Sequence, residues 1–363
     1  MRRSWLGALA LAIVSSMTPA LAWDRGQVDI FAVLPAGTAG PEGLTVGPNG
    51  DVYVTTFGFT SAGAVTTEAQ LFVFRPNGTL VRQVGIQNAS PHSLGLAFNP
   101  VTGALIVLDF GAGKALTVNP TTGQSSVFMT ASTTGVPDPT VPGTDPSKSG
   151  LNGLTFDSAG NTYISDSFQG IIWKTGPQGG TGTEKLGTIW VEDPTLTTVG
   201  IPPFGANGVE FIDGGKTLVV ANTGNDQLIE VPVNSNGTAG QPAVFVNSIN
   251  GADGIAIDEA GNIWVAANQA DEIVVVNPAG KAIAKLGDFR GVDRDGLPRG
   301  LLFPASPAFS LDHRVLYVTN LALDLTVIGI TESVDSPWAH LVKRYTIGVL
   351  PAVIPPLPNG FND

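Results

Sequence analysis

The 363 residues carry 43% hydrophobic residues, 46 Gly, 27 Pro and no Cys, which suits a turn-rich globular chain with a sizeable core and excludes a disulfide framework. Lys and Arg number 18 against 30 Asp and Glu, for a formal net charge of −12. With no basic cluster, nucleic acid is excluded as the expected partner.

Arg2 and Arg3 precede an apolar run from Leu6 to Val14, and Ala20-Leu21-Ala22 offers the small residues a signal peptidase reads. Residues 1–22 are therefore expected to be a signal peptide cut after Ala22, placing the mature protein in the periplasm or outside the cell. The apolar run is too short for a bilayer anchor, so no membrane span is expected in the mature chain. RRSWL matches a twin-arginine signal only loosely, which leaves the export route open. Removing residues 1–22 takes away two Arg and no acid, moving the charge from −12 to −14.

From Gln27 to Leu34, QVDIFAVL alternates like a strand ahead of any repeat. Then a β-hairpin pattern recurs: PEGLTVGPNGDVYVTTF from Pro41, PHSLGLAFNPVTGALIVLDF from Pro91, GLNGLTFDSAGNTYISD from Gly150, ANGVEFIDGGKTLVVANT from Ala206, ADGIAIDEAGNIWVAAN from Ala252 and PASPAFSLDHRVLYVTN from Pro304. Aligned at Asn152, the copies read Glu42, His92, Asn152, Asn207, Asp253 and Ser306, with steps of 50, 60, 55, 46 and 53 residues. Six strand-and-turn repeats of this length predict an all-β fold, a six-bladed β-propeller with four antiparallel strands per blade. RYTIGV at Arg344–Val349 and QVDIFAVL compete to supply the outer strand of blade six, so that a terminal strand closes the ring. The expected domains are the signal peptide, a propeller over 23–350 and a Pro-rich tail over 351–363.

An up-and-down blade fixes which loops share a face. The start of each innermost strand lies on the same face as four long connections: Gly58 to Gln70, Met129 to Gly150, Glu192 to Gly205 and Asp288 to Phe303. Long connections on one face mark it as the place for a site.

Innermost strands of a propeller begin at the central channel. Glu42, Asn152, Asn207 and Asp253 would meet there with two carboxylates and two amide oxygens. A hard cation such as Ca²⁺ takes about six to eight oxygens, water completing the shell, whereas zinc has no thiolate and few His to use. Asn-Gly and Asp-Gly are equally common turn dipeptides, which is the structural alternative; Glu-Gly is not.

The Glu-Gly, Asn-Gly, Asn-Gly and Asp-Gly series resembles that of the senescence marker protein/gluconolactonase family and its relatives, the paraoxonases and squid-type diisopropyl-fluorophosphatase. The resemblance implies a six-bladed propeller with a divalent cation, commonly Ca²⁺, held by Glu42, Asn152, Asn207 and Asp253. It further implies hydrolysis of lactones or related esters as small-molecule substrates, with Asp253 as base or nucleophile. Where gluconolactonases carry an Arg-x-Asn substrate-binding set in blade two, this chain has Ser90-Pro91-His92-Ser93. His92 is the candidate general base there, as a blade-two His is suggested to be in paraoxonases, with channel-lining hydrogen bonding as its structural alternative. His313, in a turn on the opposite face, and His340, near the tail, are not expected to reach the channel.

Asp109, Asp166, Asn222, Asn268 and Asn320 end the second strands and form a candidate supporting ring, or else cap those strand ends. The repeats also resemble the NHL class, whose propellers bind partners without catalysis. Two functions thus stand at this point: an exported, Ca²⁺-dependent lactone or ester hydrolase, expected as a monomer, and a non-catalytic binding propeller.

Overall fold

The computed structural model describes residues 25–133, 147–331 and 336–355. The signal peptide, its cleavage point and the tail beyond residue 355 lie outside the described residues. Six four-stranded antiparallel sheets surround a channel, five of them following the chain outward from it and the sixth taking its outermost strand from the N-terminal end. The innermost strands are Pro41–Val46, Ser93–Phe98, Leu151–Phe156, Ala206–Ile212, Ala252–Ile257 and Pro304–Phe309.

Each hairpin forms for local reasons that the sequence carries. In blade three the Asp157 carboxylate accepts from the backbone N–H of Ala159 at 3.0 Å and of Asn161 at 2.9 Å, while Gly160 takes φ +79°. This side-chain turn fixes the register of the two apolar strands it joins. Burial then sorts the strands. The second strands Val52–Thr56 and Ile263–Ala267 are buried throughout, whereas the outer strand Leu80–Gly85 is half exposed.

Both chain ends complete blade six. Thr346–Pro351 is its third strand and Asp29–Val33 its outermost, with Asp29 opposite Val349 and Val33 opposite Thr346. The two competing segments are thus both used, in adjacent positions. The third strand is reached by a connection from Leu321 to Tyr345 that holds the 3-10 turn Leu325–Ile328 and the helix Ser336–Ala339. Two of the expected long connections fold into small hairpins, Phe59–Thr60 with Gly63–Ala64 and Phe289–Val292 with Pro298–Gly300. Residues 134–146 of a third lie outside the described residues.

Among the described residues, buried apolar side chains form seven clusters. Six lie between neighbouring blades, such as Leu105, Val107 and Leu116 of blade two packed on Leu71 and Val73 of blade one. Each such side chain contributes about 1.5–3 kcal/mol by leaving water. The seventh cluster joins no blade sides. Phe57, Leu94, Phe303, Ala305, Leu321, Leu323 and Leu325 pack together across the motif face.

One irregularity recurs six times and sets the site. In every blade the pairing of the two inner strands slips just after the first residue: between Pro41 and Leu44, Ser93 and Leu96, Leu151 and Leu154, Ala206 and Val209, Ala252 and Ile255, and Pro304 and Pro307. A bulge re-aims the residues it contains. The bulged pairs are Glu42-Gly43, Leu94-Gly95, Asn152-Gly153, Asn207-Gly208, Asp253-Gly254 and Ala305-Ser306. This corrects the sequence alignment in two blades. Leu94, not His92, matches Asn152 in blade two, and Ala305, not Ser306, does so in blade six.

The glycines answer a close approach of blades. A Cβ on Gly43 would lie 2.1 Å from the Leu94 carbonyl oxygen, one on Gly153 2.6 Å from that of Asn207, and one on Gly208 2.4 Å from that of Asp253. None of these three takes a positive φ. The Asn-Gly and Asp-Gly pairs are therefore not turn dipeptides; they mark a close contact between the inner strands of adjacent blades.

Candidate metal centre and channel

The inner ring consists of Glu42, Leu94, Asn152, Asn207, Asp253 and Ala305, in blade order. Glu42, Asn152, Asn207 and Asp253 are 4–5% exposed and border one small space. Three oxygens there are buried without a hydrogen-bond partner: Glu42 Oε2, Asp253 Oδ1 and Asn268 Oδ1. An orphaned buried carboxylate oxygen is costly, and two of them together more so. Burial raises the pKa of Glu42 well above the ordinary carboxylate range, and the neighbouring Asp253 charge raises it further. Burial also raises Asp253, against opposing hydrogen bonds from Asn268 and Asn207. Among the described residues no three His, Asp or Glu come together. What converges is a mixed set of two carboxylates and two amides, all oxygen donors.

The amides are held by residues the sequence reading missed. Asn152 Nδ2 donates to Ser167 Oγ at 3.0 Å, and Asn207 Nδ2 to Thr223 Oγ1 at 2.8 Å. The two hydroxyls in turn donate to the carbonyls of Ala206 and Ala252 in the next blade, at 2.7 and 2.8 Å. With the nitrogens committed, each amide oxygen is left for the channel. Asn268 occupies the same structural position in blade five, and its Nδ2 donates to Asp253 Oδ2 at 3.1 Å.

Of the five residues expected to support the ring, only Asn268 touches it. Asp109 accepts from the N–H of Ser90 at 2.9 Å and of Ala112 at 3.2 Å, and from the Ser90 hydroxyl. Asp166 accepts from Ser149 Oγ, Gly150 N and Trp173 Nε1 at 2.7, 3.0 and 3.1 Å. Asn222 donates to the carbonyls of Thr195 and Thr197, and Asn320 to that of Gly300 and to Thr346 Oγ1. These four hold the connections that lead into the inner strands. Side chains alternate along a strand, so the residue after each strand end, at 167 and 223, is the one that faces the channel.

His92 borders neither of the spaces in the channel. Its Nδ1 lies 2.6 Å from the Phe57 carbonyl, and its ring stacks on Phe59 at 5.0 Å. This geometry makes it a brace for the aromatic wall, two residues before the bulge that would have turned it inward. His313 is the converse case. It borders the far end of the channel, stacked on Phe309 at 5.5 Å, contrary to the expectation that it would not reach there.

The channel is divided at the ring. Toward the motif face lies a space of about 30 Å³ under Phe57, Leu94, Phe204, Phe303, Leu321 and Leu323, room for one or two waters. Toward the opposite face it widens to about 340 Å³ between the inner strands. In that wider part Thr155 Oγ1 donates to Glu210 Oε2 at 2.8 Å, and burial raises the Glu210 pKa to about 7.

Residues 145–287 match the family described as SMP-30/Gluconolactonase/LRE-like region. The match spans blades three to five, with Asn152, Asn207 and Asp253; Glu42 lies outside it. Among solved structures the chain is similar to a candidate gluconolactonase at 16% identity, covering 90% of this chain and 92% of that one with a TM-score of 0.57. It is similar to a calcium-binding protein, regucalcin, from Agrobacterium tumefaciens at 16% identity, covering 88% and 95%, TM-score 0.56. A streptogramin B lyase shares the fold at 12% identity, covering 91% and 99%, TM-score 0.54. At such identities these three likenesses speak for the fold alone. No curated protein matches the sequence.

Proposed function

Because blades three to five carry the SMP-30/gluconolactonase/LRE-like region, we propose that this protein is a divalent-cation-dependent hydrolase of lactones or related esters. The cation, Ca²⁺ by chemistry of the donors, is assigned to Glu42, Asn152, Asn207 and Asp253. The observation that carries the reading is the pair of buried, unpartnered carboxylate oxygens, Glu42 Oε2 and Asp253 Oδ1, beside two amides whose nitrogens are already committed. Hard oxygen donors, a net negative site and no thiolate suit Ca²⁺. The similar solved structure of regucalcin is that of a calcium-binding protein, which agrees with this choice.

A cation bound there would supply a Lewis-acid contact for the carbonyl oxygen of the substrate. The protein's own residues do the rest. Asn268 holds Asp253 Oδ2 and so fixes the carboxylate beside the space where a water would add to the carbonyl carbon, its Oδ1 being the oxygen assigned to the cation. Asp253 takes the proton of that water and returns it to the alkoxide released when the ester C–O bond breaks. The apolar side chains of the motif face keep bulk water from the reacting atoms. His92 has no part in the proton transfer, since Phe57 and Phe59 engage it. The apolar segment at residues 6–14 and the small residues before Trp23 support an exported protein working in the periplasm or outside the cell.

The non-catalytic binding propeller keeps one observation in its favour, the small size of the space above the ring. Turnover separates the two. A panel of lactones and esters should show hydrolysis that is lost with a chelator and restored by CaCl₂; a metal-replete protein with no turnover on the panel would return the reading to a binding role.

A further inference from the structure

Seven of the 12 residues around the space above the ring are apolar, and the five polar ones are the ring oxygens and Asn268. Among the described residues no Lys, Arg or His borders it. The polar groups one step back are already used: Ser167 and Thr223 each accept from a ring amide and donate to a carbonyl of the next blade. A ligand hydroxyl or carboxylate arriving over the ring would find few partners beyond the metal-directed oxygens and Asn268 Oδ1. The roof is itself packed mainly on apolar side chains. Phe59, Phe110, Val327 and Ile330 pack against the cluster that holds Leu321, Leu323 and Phe303, with His92 held against Phe57 and Phe59 at its blade-two side.

The asymmetry around the ring gives the ligand an orientation. Blades three to five offer Ser167, Thr223 and Asn268 next to the ring, and blades six, one and two offer Leu321, Phe57 and Phe110 at the corresponding positions. We infer that the substrate is an uncharged lactone or ester whose non-reacting part is aliphatic or aromatic. Its carbonyl lies toward the ring, and its apolar part lies against Leu94, Leu321, Leu323 and Phe303, which must part to enlarge the space of about 30 Å³. Polyhydroxylated and anionic lactones are disfavoured, because their polar groups would be stripped of water against these side chains without replacement. The inference rests on the hydrolase reading for the reacting bond, and on the apolar walls for the rest of the ligand.

The test uses non-hydrolysable cyclic amides, so that binding is read apart from turnover. Calorimetry on the full mature chain with CaCl₂ compares a hexyl-substituted δ-lactam with a polyhydroxylated δ-lactam. The alkyl lactam should bind at least about 10-fold more tightly, the discrimination expected of a pocket that cannot pair hydroxyls. Leu323→Asn should narrow that ratio while Leu323→Ala, which only enlarges the space, should not; melting curves confirm that both variants fold. Equal or tighter binding of the polyhydroxylated lactam overturns the inference, and so does failure of both lactams to bind. If the alkyl lactam binds but the alkyl lactone is not turned over, the ligand class stands and the hydrolase reading falls.

Discussion

The two halves of the inner ring are built on the same backbone and do opposite things with it. In blades three to five the bulged residue is Asn152, Asn207 or Asp253, and Ser167, Thr223 or Asn268 hydrogen-bonds to it. In blades six, one and two the bulged residues are Ala305, Glu42 and Leu94, and the corresponding neighbours, Leu321, Phe57 and Phe110, are apolar. Glu42 is the exception in its half, a carboxylate beside Phe57 with one oxygen unpartnered. The same bulge therefore aims a polar donor inward on one side and an apolar wall on the other. Position comes from the fold, and chemistry from the residue placed on it.

The strongest test of the shared backbone is to crowd it in both halves. Gly208→Ala brings a Cβ to 2.4 Å from the Asp253 carbonyl oxygen, and Gly43→Ala brings one to 2.1 Å from that of Leu94. Backbone oxygens cannot swing aside as a side chain can, so each should cost about 2–3 kcal/mol in chemical denaturation. Similar losses on the two sides would show that the close approach belongs to the ring; a harmless Gly43→Ala would break the symmetry.

Glu210 sharpens the comparison inside the polar half. Its folded pKa of about 7 stands above the ordinary 4.5 because of burial. A raised acid binds its proton more tightly when folded, so its contribution to stability is full below about pH 4.5 and is lost as pH rises through about 7. The shift corresponds to up to about 3 kcal/mol, and about 1–2 kcal/mol once water in the channel screens the charge. Glu210→Gln should remove that decline and be the more stable protein at pH 8 in urea titrations. A parallel pH dependence in the two would contradict the burial of this carboxyl.

Thr223→Val keeps the shape but removes the hydroxyl between Asn207 and the Ala252 carbonyl. A loss of about 1–2 kcal/mol is expected, with weakened Ca²⁺ binding as the freed amide turns. His92→Phe is the smallest change. It keeps the stack on Phe59 and loses the contact with the Phe57 carbonyl, so stability should fall by less than about 1 kcal/mol and turnover should persist. Abolished turnover in a folded His92→Phe would restore this residue as a proton carrier.

Blade number, strand order and four ring residues are legible in the sequence because each repeat carries its own turn chemistry and period. The alignment differs from the structure in blades two and six, where the bulge carries Leu94 and Ala305 rather than a polar counterpart of Asn152. The glycine after the bulge, Gly95 in SLGLAF, was the signal that could have corrected blade two. The supporting residues in blades three and four lie one position beyond the strand ends, at Ser167 and Thr223 rather than Asp166 and Asn222, because side chains alternate and the residue after the strand faces the channel. The apolar roof was not legible. Phe204, Phe303, Leu321 and Leu323 sit on connections with no period, and only the closed ring brings them together.

The account turns on where a divalent cation binds, and calcium-dependent melting of three proteins tests that most directly. Ca²⁺ at about 100-fold above its dissociation constant should stabilise the wild type by about 2.7 kcal/mol, read as a rise in Tm. Asn77→Asp alters an exposed outer turn, where the side-chain oxygen of Asn77 accepts from the Thr79 N–H at 3.1 Å, and should leave the rise unchanged. Asp253→Asn keeps the size of the side chain, removes one of the two ring charges and should reduce the rise. If Asp253→Asn gains as much from Ca²⁺ as the wild type, the ion does not bind at the ring, and the proposed catalytic centre is contradicted.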